Sequence, residues 1–290
     1  MISVGRVTDS TSEVEALGLA KRWTVVPLEI EIDGRRMREG DDLSSAEFYT
    51  LFQEANAVPL TIPPPPERFA DVYADLLGRH ERVLSVHLSG ELSRTVDHAR
   101  QAAATIGASD RVIVVDSRLA GLPLGLLCLE AEARLETGQE PVEVARALQA
   151  LAASTRVYFS VYTLDFLYLS GRLDRPVGNG PKAQDDRPVL ALEGGRLTLI
   201  ERVVGETTRV ERMVELVAGA WGHDEPIVAG CVYAGARGKE AALELERSLA
   251  EVGLPVRWHR APLGPALSAH TGFDVCGISA YPARLSAVGR

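Results

Sequence analysis

The segment Ser89-Gly90-Glu91-Leu92-Ser93-Arg94-Thr95 gathers hydroxyls, a carboxylate, a guanidinium and a glycine within one short stretch. It follows a β-branched apolar run and precedes a helix-forming one, the place where open α/β sheets put ligand-binding loops. A helix start offers N–H donors without intrahelical partners and about half a positive charge, so Ser93 and Thr95 suit an oxygen of a carboxylate or phosphate. The same spacing makes Ser93 an ordinary N-cap, a role worth about 1 kcal/mol. Thr61 stands just before prolines 63–66, after a helix-like run, in a stretch expected to be a loop over the same sheet edge. His270, in Ser268-Ala269-His270-Thr271-Gly272, lies between apolar segments; its imidazole can donate to an anion or serve as a structural hydrogen-bonder. Thr8-Asp9-Ser10-Thr11-Ser12 closes the first strand with hydroxyls and a carboxylate suited to capping the helix after it, and Asp116-Ser117 is expected to do the same.

A rival chemistry is a serine-dependent hydrolase or acyltransferase, with Ser93 as nucleophile, His270 as base and Asp9 or Asp116 as the orienting acid. Gly178-Asn179-Gly180-Pro181-Lys182-Ala183 spells G-x-G-x-x-A, but it has no strand before it and no helix after it, so no dinucleotide site is expected. Neither a P-loop nor a G-x-S-x-G elbow occurs. Cys128, Cys231 and Cys276 are far apart and in apolar contexts, without the spacing of zinc or redox pairs. They read as core thiols of a cytoplasmic protein, and neither a metal nor a cofactor is expected.

The elements that must position these residues follow from composition and periodicity. The chain has 290 residues, 46 % of them hydrophobic and 24 % charged, which sets aside disorder, collagen and coiled coil and favours two domains. A formal charge of -9 supplies no general attraction for nucleic acid or an anionic membrane. The longest uncharged apolar run, Leu119 to Leu129, contains Pro123 and is too short to span a bilayer; residues 1–9 lack the pattern of a signal peptide. Strands are expected at Ile2–Thr8, Thr24–Ile32, Arg82–Leu88 and Arg111–Val115. They alternate with helices at Glu13–Arg22, Ser44–Gln53, from Glu67, and at Ser93–Ile106, a rhythm that predicts a parallel sheet covered on both faces. Helices are expected at Leu122–Thr137 and Pro141–Ala153. After Thr155 the character changes: Gly194-Gly195 between alternating runs predicts a hairpin, with further strands at 157–162, 227–233 and 255–260 and helices at 164–169, 207–220 and 239–251. The reading is an N-terminal α/β domain, 1–155, with a parallel sheet, and a C-terminal α/β domain, 156–290, with a mixed sheet.

Taken in order, several of these segments resemble the DegV family of bacterial fatty-acid-binding proteins. They are Val7-Thr8-Asp9-Ser10-Thr11-Ser12, Val25-Val26-Pro27-Leu28, Asp33-Gly34, Leu43-Ser44 with Phe48-Tyr49, Leu88-Ser89 through Thr95, Val115-Asp116-Ser117, Leu164 to Arg172, and His270-Thr271-Gly272. The resemblance spans nearly the whole chain. It implies a two-domain, non-catalytic carrier that holds one long-chain fatty acid in an apolar tunnel between its domains and presents the carboxylate, in the best-understood members to a separate fatty acid kinase. It carries the carboxylate-binding roles over to Thr61, Ser93 and His270, and places Arg94, Thr95 and Arg172 on a ligand or partner surface. The sequence departs from the family pattern at Ile62-Pro63-Pro64-Pro65, where the family has Ser-Gln-Pro-Ser, and at Arg94, which replaces a glycine and can pair with the carboxylate or with Glu91. Phe273-Asp274 stands where the family has Pro-Gly, and Arg187-Pro188 where it has Lys-Pro.

Overall fold

Runs of valine and leucine too short for helices and buried on both faces make the first sheet. In the computed structural model, residues 2–175, 185–221, 225–253 and 255–288 are described; the Gly178–Ala183 segment lies outside them. The chain divides into two compact units, one of Met1–Ala153 with Gly264–Ala266 and Ala287–Arg290, the other of Ser154–Leu263 with Leu267–Ser286.

The first unit runs β1 (Val4–Asp9), β2 (Thr24–Val26), β3 (Glu29–Ile32), β4 (Arg35–Arg38), α1 (Ser45–Glu54), β5 (Leu60–Ile62), α2 (Pro66–Leu77), β6 (Arg82–His87), α3 (Thr95–Thr105), β7 (Val112–Asp116), α4 (Leu122–Glu136) and α5 (Pro141–Ser154). Four parallel strands in the order β2-β1-β6-β7 form the expected sheet. Phe69, Tyr73 and Leu76 of α2 and Ala99, Ala102 and Ala103 of α3 pack with Val7, Val26 and Val83 into one core. α1 carries the expected capping box, with the Ser44 hydroxyl accepting from the Glu47 amide and the Glu47 carboxylate accepting from the Ser44 amide. Gly125 brings α4 against the turn after β1: a Cβ there would stand 2.1 Å from the Ser12 carbonyl oxygen.

Three expectations need correction. Residues 13–22 form a chain of turns rather than a helix, because Glu13 and Gly18 take left-handed conformations with φ of 53° and 72°; Val14, Leu19 and Trp23 are buried all the same. Thr24–Ile32 is two strands: Pro27 has no N–H to continue a ladder, so β2 pairs with β1 while β3 turns away to pair with β4 and β5. Thr61 is therefore in a strand of a small antiparallel sheet, opposite Ile30, and not in a loop.

The second unit runs β8 (Arg156–Ser160), α6 (Asp165–Leu169), β9 (Asp186–Glu193), β10 (Arg196–Val204), α7 (Glu206–Ala218), β11 (Ile227–Ala234), α8 (Gly235–Val252), β12 (Pro255–Pro262), α9 (Pro265–Thr271, its first residues counted with the first unit) and β13 (Val275–Pro282). Its mixed sheet has the order β10-β9-β8-β13-β11-β12, with the hairpin at Gly194-Gly195 as expected and one parallel pair, β11 with β12. Val210, Met213 and Val217 of α7 and Ala242, Leu245 and Leu249 of α8 pack on Ala229, Cys231, Cys276 and Ile278 of the sheet. All three cysteines are buried free thiols.

Candidate functional site

In the parallel sheet the chain leaves β1 toward β2 and leaves β6 toward β7 on the opposite side. The strand order reverses between β1 and β6, and the loops after their carboxyl ends are where such sheets hold ligands. Asp9 and His87 stand at those ends. Asp9 is fully buried; Oδ1 accepts from the Thr11 amide at 3.2 Å and from the Thr11 hydroxyl at 2.6 Å, capping the short 3-10 turn Ser10–Ser12. Its Oδ2 accepts from the Leu88 amide at 2.9 Å and meets His87 Nδ1 at 3.1 Å. His87 Nε2 meets Ser85 Oγ at 2.7 Å, and Ser85 Oγ meets the Tyr73 hydroxyl at 2.8 Å. Every member of this chain has 0 % exposure. With a carboxylate at Nδ1, the imidazole proton sits there, and the donors run from Tyr73 through Ser85 and His87 to Asp9. The order Asp–His–Ser that hydrolase chemistry requires is thus present in this unit, formed by Ser85 and His87 rather than Ser93. It is sealed from solvent with a tyrosine on the serine, so it works as a brace across the β1–β6 junction. Ser85 and His87 had a signal in sequence: they are two apart in an otherwise apolar strand, hence on one face.

The brace fixes the start of the Ser89–Thr95 loop, and other bonds fix its length. The Ser89 amide donates to the Leu119 carbonyl at 2.8 Å. Asp116 Oδ1 accepts from the Gly90 amide at 3.2 Å and from the Arg118 amide at 3.0 Å. It therefore ties two loops together and caps no helix, which corrects its expected role; the N-cap of α4 is Gly121. Arg118 bridges Asp116 at 3.2 Å and Glu91 at 3.1 Å. Glu91 is thus engaged by Arg118, whereas Arg94 is exposed and forms no ion pair among the described residues. α3 starts two residues later than expected, with Arg94 in the N-cap position and no side-chain cap from it. Ser93 Oγ instead bonds Thr95 Oγ1 at 2.9 Å and accepts from the Thr95 amide at 3.3 Å. Two hydroxyls meet at a helix start that its N-cap residue, Arg94, leaves without a side-chain cap, an arrangement that suits an anionic oxygen.

The chain leaving β5 is pinned to the same helix: His98, one turn into α3, bonds the Pro64 carbonyl at 2.8 Å through Nδ1. Thr61 is three residues before Pro64 and half-buried, so this bond ties its strand to the element headed by Ser93 and Thr95. The link spans 34 residues, and a lone histidine in an amphipathic helix gave no sign of it.

In the second unit His270 lies near the end of α9, which Gly272 terminates with φ of 75° and with its backbone N–H donating to the Ser268 carbonyl at 2.8 Å. A Cβ at Gly272 would stand 2.6 Å from the Phe166 ring, so α6 packs directly on the turn after the histidine. Burial, followed by the nearby charge of Arg172, drives the His270 pKa down to about 3, and the imidazole is neutral at physiological pH. Arg172 is itself half-buried, its pKa lowered by desolvation, with Nη1 donating to the Ser170 carbonyl. Ser93, Arg94 and Thr95 are thus contiguous and tied to the Thr61 strand in one unit, while Arg172 and His270 are neighbours in the other. No described helix is long and apolar enough to cross a membrane.

A family model described as uncharacterised protein, DegV family, matches residues 3–283. A DegV domain-containing protein of Deinococcus radiodurans is 35 % identical over 217 residues, 74 % of this chain and 76 % of the relative. One from Streptomyces coelicolor is 32 % identical over 95 % of this chain and 97 % of its own. Among solved structures, one described as fatty acid binding of a DegV family protein from Thermus thermophilus is 32 % identical, with a TM-score of 0.87 over 97 % of this chain and all of the other. A DegV lipid binding protein from Thermotoga maritima is 26 % identical, with a TM-score of 0.86 over 97 % of this chain and 99 % of that protein.

Proposed function

The chain belongs to the DegV family, and from that premise we propose that it is a non-catalytic protein that binds one long-chain fatty acid and presents its carboxylate. The observation that carries this reading is the likeness, over nearly its whole length, to the Thermus thermophilus protein described as fatty acid binding. The Ser93–Thr95 hydroxyl pair at the head of α3 supports it. In this reading Thr61, Ser93 and His270 bind the carboxylate and Arg94 and Arg172 form ligand or partner surface; Thr95, expected there too, is fully buried and holds the Ser93 hydroxyl instead. About fourteen buried methylenes at about 0.8 kcal/mol each supply on the order of 11 kcal/mol, before association and ordering costs. Apolar burial dominates, and an unpaired carboxylate would cancel much of the gain, so neutral hydroxyls and a neutral imidazole able to donate suit the head group.

The protein is expected to purify with an acyl chain detectable by mass spectrometry after denaturation. Absence of any acyl chain, together with failure to bind added palmitate or oleate, refutes the reading. A hydrogen bond to a charged group contributes about 1.5–3 kcal/mol, so Ser93→Ala should weaken palmitate binding by roughly 10- to 150-fold. The partner that receives the carboxylate is proposed to be a fatty acid kinase; transfer of phosphate to the bound acid by such a kinase, lost in Ser93→Ala, tests that step.

A further inference from the structure

The turn Gly264–Ala266, which opens α9, is held by two acidic side chains from far away in sequence. Glu13 Oε1 accepts from the Gly264 amide at 2.8 Å, and Glu39 Oε1 accepts from the Ala266 amide at 2.9 Å. Both carboxylates crowd the same Cα: a Cβ on Gly264 would stand 2.8 Å from Glu39 Oε1 and 3.1 Å from Glu13 Oε1. Glu39 is buried, with its second oxygen bonded by the Ser10 hydroxyl, and that hydroxyl oxygen accepts from the Leu28 amide at 3.0 Å. The other charges felt by the pair are also negative, Asp9 at the end of β1 and Glu15 in the turn after it. Among the described residues no arginine, lysine or histidine forms an ion pair with Glu13 or Glu39. Two carboxylates packed this closely, without a cation, cannot both carry charge without large cost.

We propose that Glu13 and Glu39 are a coupled carboxyl pair, protonated in the folded protein, that clasps the Gly264–Ala266 turn, and that the clasp loosens as the pair ionises. Burial raises Glu39 to about 7, and burial together with the Glu39 charge raises Glu13 well above the usual carboxylate range. A folded-state pKa above the unfolded one stabilises the clasp fully below the unfolded value, about 4.5; that contribution is lost as pH rises toward 7.

The test is hydrogen exchange at the Gly264 and Ala266 amides of the intact protein, corrected for the intrinsic pH dependence of exchange. Protection should fall by up to about tenfold per pH unit as pH rises from 5 through 7. The Glu13→Gln/Glu39→Gln double variant keeps the acceptor oxygens and should flatten the profile. Flat protection in the unaltered protein, or an undiminished slope in the double variant, overturns the proposal. Should the double variant not fold, carbon NMR titration of the two carboxyl groups in the unaltered protein decides: midpoints of both near 4.5 overturn it, and one near 7 supports it.

Discussion

Replacing Ser85 with alanine removes the middle oxygen of the Tyr73–Ser85–His87–Asp9 chain and leaves its two neighbours in place. The Tyr73 hydroxyl and His87 Nε2 both lose their partner in sites with 0 % exposure. A buried polar atom without a hydrogen bond costs about 1–3 kcal/mol, so the variant should lose about 4 kcal/mol. Tyr73→Phe alone should cost only about 1 kcal/mol, since Ser85 still donates to His87. The double variant removes one of the two orphans, and it should be more stable than Ser85→Ala alone by about 1–3 kcal/mol, opposite in sign to additivity. Hydrogen exchange at the amides of β6 reads the first unit without interference from the second, and about 4 kcal/mol corresponds to roughly a thousandfold loss of protection. A loss below about 1 kcal/mol for Ser85→Ala, or a double variant destabilised by the sum of the singles, would refute the directed chain of donors.

Other expectations follow from single contacts. Gly272→Ala combines φ of 75° with a Cβ 2.6 Å from the Phe166 ring, and should lower the stability of the second unit by about 1–3 kcal/mol in urea unfolding; an unchanged midpoint contradicts this. Gly125→Ala drives a methyl into the Ser12 carbonyl at 2.1 Å, so it should shift α4 and reduce the yield of folded protein; wild-type stability and an unperturbed amide spectrum would show that the helix yields freely. His270, with its pKa lowered to about 3, should show neutral-ring nitrogen shifts down to about pH 4. Its contribution to stability is present above about 6.5 and lost as pH falls toward 3; a titration midpoint above 5 is inconsistent with its burial.

Elements whose signals are local formed where their residues indicate. Ser44 and Glu47 close their capping box, Pro141 opens α5, and Gly194-Gly195 turns the hairpin. β1, β6 and β7 were legible for the same reason, since burial on both faces leaves largely apolar runs, whereas β2 lay inside a longer run that Pro27 divides. Elements whose identity depends on distant partners were not. β4 and β5 are three or four residues long, carry exposed side chains and exist through pairing with β3. β13, rich in small residues, is a strand because it lies between two others. The site divides likewise: Ser93, Arg94 and Thr95 were visible as a cluster because they are adjacent, but the bonds that hold them, from Asp116 to Gly90 and from His98 to Pro64, cross 26 and 34 residues. Residues 13–22 show the converse case, an amphipathic spacing satisfied by turns once Glu13 and Gly18 leave the helical region.

The position of β13 bears on how the protein is made. It is the last strand of its sheet to be translated, yet it occupies the interior, antiparallel to β8 on one side and β11 on the other. Until it emerges from the ribosome, β8–β9–β10 and β11–β12 are separate pieces, each presenting a bare hydrogen-bonding edge to solvent or to a neighbouring nascent chain. Nascent-chain aggregation and chaperone demand should therefore peak after β12 and collapse abruptly once residues 275–282 clear the exit tunnel.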